Sequence, residues 1–167
     1  MDIEDIYRLY VNDLYRYLLS LTKDHYRAEE LVQETVYRAF LHIDDYQEYV
    51  KPWLFKTGYH VFIDSIRRDQ RMVLTDTPFL SSWVAKDLTE ETVLEKDGYG
   101  KLLALIEGLP TNEKQAILLC DVHDFSYKET SEILVQNVNT VKSHLYRGRR
   151  KLRKMLQERV EINESRR

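Results

Sequence analysis

Residues 126–154, SYKETSEILVQNVNTVKSHLYRGRRKLRK, decide how the rest of this chain is read. Ser126 is a good helix N-cap, and Glu129 three residues on can close a capping box with it. Tyr127, Thr130, Ile133 and Leu134 then share one helical face. Residues 135–139 are too short for a strand and hold two asparagines, which favour turns and caps. Either Asn137 or Asn139 can cap a second helix. Along that helix Val138, Val141, Leu145, Gly148, Leu152 and Met155 recur at intervals of three and four, a stripe for burial. The other faces carry Thr140, Lys142, Ser143, Tyr146, Arg147, Arg149, Arg150, Lys151 and Arg153, and residues 139–156 hold seven cations and no acid.

Two helices joined by a short turn, the second cationic over its whole wet side, form a helix-turn-helix suited to the DNA major groove. The cations suit phosphates. Ser143 and Tyr146, set among them, supply hydrogen bonds and shape for base edges. A basic surface helix without a ligand has the same composition. The capped helix and tight turn in front of it favour the DNA reading.

The length, 167 residues, allows one domain or two small ones. Charged residues make up 32% and hydrophobic residues 43%, ordinary for a helical protein in water. The net charge of −3 is unexpected for a DNA binder until its distribution is seen. Residues 1–48 hold eleven acids against five cations, whereas the basic helix holds no acid. An acidic front and a basic end suggest two different partners. The single cysteine, Cys120, excludes an internal disulfide and, in the apolar run AILLC, reads as a small core residue. With no signal segment and no run of about 18 apolar residues, a cytoplasmic location is expected. His25, His42, His60, His123 and His144 are scattered without zinc spacing, and Asp121 and His123 beside Cys120 read as structural. No metal, cofactor or small-molecule substrate is expected, and no nucleophile stands with its base.

The periodicity is helical throughout. Ile3, Ile6, Tyr7, Tyr10, Leu14, Tyr17, Leu18 and Leu21 form one stripe, and Ala28, Leu31, Val32, Thr35, Val36, Ala39, Phe40 and Ile43 a second. After the polar loop DDYQEYVK, Pro52 fits the first turn of a third helix. Trp53, Leu54, Thr57, Gly58, Val61, Phe62, Ser65 and Ile66 are expected on its buried side, with Lys56, His60, Asp64 and Arg67 on another face. The reading is an all-α protein of two small helical domains, 1–71 and 99–158, joined by a linker at 72–98 and followed by a tail at 159–167. The linker holds Pro78, Ser81 and Ser82, with a short helix expected near 90–96. Its Val73, Leu74, Phe79, Leu80, Trp83 and Val84 are too many apolar residues for an inert tether. In the second domain a helix over 102–109, Pro110 and a Thr111-capped helix through Leu119 precede the basic pair.

Four segments in this order carry a resemblance: AEELVQETVYRAF (28–40), PWLFKTGYHVFIDSIRR (52–68), LPTNEKQAILLCDVHDFSYKETSEIL (109–134) and NTVKSHLYRGRRKL (139–152). Together they resemble the sigma-70 family of bacterial RNA polymerase sigma factors, in the extracytoplasmic-function (ECF) type that keeps only regions 2 and 4. The resemblance implies a promoter-specificity subunit, not an enzyme. Its implied partners are core RNA polymerase, through the clamp coiled coil of the largest subunit and the flap, promoter DNA, and an inhibitory anti-sigma factor that can be membrane-anchored. The family's acid-Leu-x-Gln-Glu pattern, which binds the clamp, falls on Glu30, Leu31, Gln33 and Glu34. A solvated acidic face is the ordinary fate of such a pattern. The downstream promoter element is implied to meet Tyr46, Tyr49, Lys56 and His60, with Arg67, Arg68 and Arg71 on phosphates. Tyr46 and Tyr49 can stack on an unpaired base or anchor their loop to the core. The upstream element is implied to meet Lys142, Ser143, Tyr146 and Arg147 at bases and nearby phosphates, and Thr140, Arg149, Arg150 and Arg153 at the backbone, with His144 also among the DNA-binding positions. Family members often carry Asn at the position of His60 and Arg at that of His144. Val135 replaces the usual turn glycine, so the turn either takes another shape or is strained.

Two rivals remain on sequence alone. A conventional regulator with a helix-turn-helix and a ligand or dimerisation domain would bind duplex DNA unaided, as a dimer on paired half-sites. A nucleic-acid-processing enzyme would need carboxylates or a metal site beside the basic helix.

Overall fold

The computed structural model describes residues 2–42, 44, 48–73 and 99–167. Every regular element among them is a helix. Residues 74–98 of the linker expected at 72–98, with the short helix expected near 90–96, and Tyr46 lie outside the described residues. The chain divides into two compact units, 1–90 and 91–167.

The first unit begins with α1 (Ile3–Thr22), whose start is fixed by a reciprocal capping box between Asp2 and Asp5. The chain turns through left-handed Lys23 into α2 (His25–His42). There the Asp24 carboxylate accepts from the Tyr26 and Arg27 amides at 2.9 and 3.3 Å. The third helix, α3 (Val50–Val73), carries Pro52 in its first turn, where the missing N–H costs nothing. The three helices enclose Ile6, Leu14, Tyr17, Leu18, Ala28, Ala39, Leu54 and Phe55. Tyr17 and Phe55, both fully buried, meet with ring centroids 5.1 Å apart. Phe55 is the aromatic residue that α3 buries. Trp53, expected in that role, is only partly buried against Ile6, Ala39, Val50 and Leu54. Gly58 marks a close approach here, because a Cβ would stand 3.0 Å from Leu14 Cδ1 and that side chain would have to shift.

The second unit holds α4 (Tyr99–Glu107), α5 (Thr111–Ile117), α6 (Tyr127–Leu134) and α7 (Val138–Ser165). Pro110, not Thr111, stands at the start of α5, and no side chain caps it. From Ile117 the chain continues into a widened π-helical turn, Leu118–Val122, closed by the His123 amide on the Leu118 carbonyl at 3.0 Å. The helix-turn-helix follows as expected. Ser126 and Glu129 form a complete capping box at 3.0 Å in both directions. Asn137 caps α7 by accepting from the Asn139 amide at 2.8 Å. Thr130, Ile133, Leu134, Val141 and Leu145 are buried where the pair packs on Ile106, Ile117, Leu118 and Leu119. No helix of the described residues is long and apolar enough to cross a membrane.

The turn does not take another shape at Val135. This residue ends α6 in the left-handed region, at φ 53° and ψ 52°. Its amide bonds the Ser131 carbonyl, which satisfies the helix end at the expense of a β-branched residue with positive φ. Its side chain is 71% exposed, so little packing compensates. The left-handed conformation costs an L-residue about 1–2 kcal/mol, and the extra unfolded-state freedom of glycine returns only part of that. Val135→Gly is expected to stabilise the protein by about 0.5–1 kcal/mol, read as a higher thermal midpoint; a lower midpoint would show that the turn is not strained.

Candidate nucleic-acid interface and charged groove

The cationic surface is built by α7. Val141, Leu145 and Gly148 face the core, and Leu152 and Met155 are half-buried behind them. The 100° step between residues then turns Ser143, Tyr146 and Arg150 to the opposite side, with Lys142 and Arg153 on one flank and Thr140 and Arg147 on the other. All seven of these residues are exposed, and Tyr146 is 64% exposed. Lys142 extends over the Tyr127 ring, with Nζ 5.6 Å from the centroid, an arrangement that braces α6 against α7.

Three cations of this helix are held by the protein itself. Arg149 donates through Nε and a terminal nitrogen to the two Asp121 oxygens at 3.0 and 2.6 Å, a bidentate pair across 28 residues. That hydrogen-bonded carboxylate keeps the guanidinium pKa raised above its usual value. Arg149, expected to be available for the DNA backbone, is therefore engaged within its own unit. Lys151 Nζ lies 3.0 and 2.9 Å from the two Glu113 oxygens, with hydrogen-bond geometry only to Oε1. Arg147 Nε is 3.6 Å from Glu113 Oε1, and one of its terminal nitrogens is 3.0 Å from His144 Nδ1. His144 itself is half-buried. Asp121, read as structural, has that role here, whereas its partner and the part played by Glu113 escaped the sequence reading because the pairs span 28 to 38 residues. Cys120 sits 3.2 Å from the Thr130 hydroxyl, and burial pushes its thiol pKa up, so it stays a neutral half-buried thiol.

The first unit carries a groove of about 1110 Å³ between α2 and α3. Glu30, Gln33, Glu34 and Tyr37 line one wall, and Asp64, Arg67, Arg68, Arg71 and Met72 the other. Glu30 and Gln33 are exposed and Glu34 half-buried, whereas Leu31, 5% exposed, belongs to the floor. Ion pairs bridge the walls: Arg27 meets Asp69, and Arg38 donates to Glu34 at 2.9 Å and approaches Asp64 at 4.0 Å. The residues expected for polymerase and the arginines expected for phosphate thus share one groove. Lys56 and Tyr49 are exposed outside that lining, Tyr49 by 68%, and His60 is half-buried beside Tyr59 at 5.9 Å between ring centroids. Among the described residues no group of His, Cys, Asp and Glu can hold a metal ion.

Residues 6–72 match the family model for sigma-70 region 2, and residues 99–152 match the model for sigma-70 region 4. The chain is 36% identical to the ECF RNA polymerase sigma factor SigM of Bacillus subtilis (strain 168), over 92% of this chain and 94% of that protein. It is 31% identical to the ECF RNA polymerase sigma factor SigE of Mycolicibacterium smegmatis over 92% of this chain, which spans 61% of that longer relative. Among solved structures, the sigma factor RpoE of Bartonella quintana, crystallised with the anti-sigma factor NepR, has a similar fold. Its TM-score is 0.70 and its identity 23%, over 92% of this chain and 96% of that one.

Close approach at Gly148 sets the seat of α7. A Cβ there would stand 3.1 Å from Ile117 Cγ1 and 3.4 Å from the Glu113 carbonyl oxygen. Gly148→Val adds two further carbons against that backbone and is expected to destabilise the protein by about 1–3 kcal/mol. Denaturant unfolding measures this; an unchanged midpoint would mean that α7 stands off from α5.

Proposed function

This chain belongs to the sigma-70 family, in its ECF group, and on that premise we propose how its two units divide the work of starting transcription. The family consists of initiation factors and not enzymes, and RNA synthesis is the polymerase's chemistry. Residues 1–71 act as region 2. Glu30, Gln33 and Glu34, seated over Leu31, grip the clamp coiled coil of the largest polymerase subunit, where carboxylates and an amide suit a basic partner. Tyr46, Tyr49, Lys56 and His60 meet the downstream promoter element. Arg67, Arg68 and Arg71 hold phosphate from the α3 side of the groove. Residues 72–98 tether this unit to region 4 at 99–158, which also meets the polymerase flap, and 159–167 form a tail. In region 4, α7 enters the major groove of the upstream element with Ser143, Tyr146 and Arg147 toward bases and Thr140, Lys142, Arg150 and Arg153 toward phosphates. An anti-sigma factor holds the protein inactive, through the linker and the exposed helix faces. The work takes place in the cytoplasm, where polymerase and promoter are.

The observation that carries this reading is the exposed, acid-free outer face of α7 over residues 139–156, in a chain whose other unit opens a groove with the acids of α2 on one wall and arginines of α3 on the other. A conventional regulator would bind duplex DNA tightly by itself. This chain should bind it weakly alone and strongly once combined with core polymerase.

Reconstitution tests the proposal directly. Adding the chain to core polymerase is expected to start transcription at discrete sites on genomic DNA, and random initiation would end the assignment. Glu30→Lys combined with Gln33→Lys should abolish co-purification with core polymerase while the circular-dichroism spectrum stays helical; retained binding removes the role of α2. Arg147→Ala should weaken use of the cognate promoter by about 1–3 kcal/mol and relax its upstream preference. Transcription at the wild-type level from that promoter would contradict it.

A further inference from the structure

Glu113 is a carboxylate with 5% of its surface exposed, held under the reading helix. The close approach at Gly148 brings α5 beneath two cations of the same flank of α7, Arg147 and Lys151. A buried charge needs partners, and Glu113 takes both. Arg147 is thereby held along one edge, with Nε toward Glu113 at 3.6 Å and one terminal nitrogen on His144 Nδ1 at 3.0 Å. The end of its planar fork, between the two terminal nitrogens, is left for a ligand. A planar fork of this kind matches guanine O6 and N7 in the major groove.

We infer that Glu113 is a specificity-determining positioning residue for duplex recognition. It withdraws Lys151 and one edge of Arg147 from the phosphate backbone and, with His144, presents the Arg147 fork to a guanine. The inference rests on the reading that α7 enters the major groove. Non-specific affinity is given up for discrimination: each cation released from Glu113 would add about one unit to the slope of log affinity against log salt.

The test uses the full chain with core polymerase. A randomised duplex library is selected with the wild-type complex, and the enriched sequence is compared with its guanine-to-adenine substitutions. A labelled duplex of arbitrary sequence serves for salt titration of the free chain. Glu113→Gln is expected to bind the arbitrary duplex roughly threefold or more tightly at low salt, to steepen the salt slope by about one for each of the two cations released, and to lose about tenfold in guanine preference. Loss of packing alone would weaken binding to both duplexes. His144→Ala, a change at a half-buried site, is expected to lower guanine preference without altering the salt slope. An unchanged slope in Glu113→Gln overturns the inference, as does guanine preference undiminished in His144→Ala should the first variant fail to fold. If the wild-type complex enriches no sequence, the groove reading fails and the inference with it. A wild-type motif that survives both substitutions removes the inference alone.

Discussion

A helix with seven cations between residues 139 and 156 repels itself and prefers water, yet it has to be fixed to a small core at a defined angle. The second unit solves this with an apolar stripe and two acids. Val141, Leu145 and Gly148 bury one side of α7, and Gly148 lets it settle nearly onto the backbone of α5. Asp121, delivered by the widened turn after α5, takes Arg149, and Glu113 takes Lys151 and Arg147. Both acids attach to the flanks of the stripe, where α7 meets its own unit. The outer line through Ser143, Tyr146 and Arg150 is left clear. The orientation of the presented face follows from this arrangement of counter-charges as much as from the hydrophobic contact.

The first unit uses charge differently. Its stability comes from the buried Tyr17, Phe55, Leu14 and Leu18, with Gly58 leaving the room that the Leu14 side chain occupies. The ion pairs spanning the α2–α3 groove are partly exposed, and exposed pairs of this type contribute little to stability. Their consequence is local. Arg27 with Asp69, and Arg38 with Glu34 and Asp64, are exposed enough that a charged partner can exchange for them at small cost. The walls proposed for polymerase and for phosphate thus line one groove.

The parts of this structure that local chemistry determines were legible in the chain. The Ser126–Glu129 box, the Asn137 cap, the stripe of α7 and the three amphipathic helices of the first unit each follow from spacing within a few residues. The exposure of Glu30, Gln33, Lys142 and Arg147 also agrees with the helical phase. The misreadings share a different origin. Trp53 and Phe55 are both aromatic and two positions apart, and only the approach of Tyr17 decides which is buried. Thr111 has the chemistry of a cap, yet the fixed φ of Pro110 starts the helix one residue earlier. The pairing of Arg149 with Asp121 and the burial of Glu113 depend on contacts between distant segments, which no periodicity encodes. Val135 is a conflict between local and tertiary preference: the turn between α6 and α7 needs a left-handed residue there, whatever the side chain.

The counter-charges also bear on why such a protein would need polymerase. With Arg147, Arg149 and Lys151 committed internally, four of the seven cations, Lys142, Arg150, Arg153 and Lys154, have no acidic partner among the described residues. Each phosphate neutralised contributes about 0.9 to the salt slope, so the helix commands little more than half the backbone attraction that its composition suggests. The net charge of −3 works against approach to DNA as well. Alone, region 4 would then hold a duplex weakly and leave wrong sites quickly. Tethered through region 2 to a polymerase that already grips DNA, it faces the upstream element at a high effective concentration, where modest affinity suffices. Under those conditions discrimination is worth more than strength, and an acid buried beneath the reading helix, which lowers attraction to backbone phosphate while orienting Arg147, is an advantage.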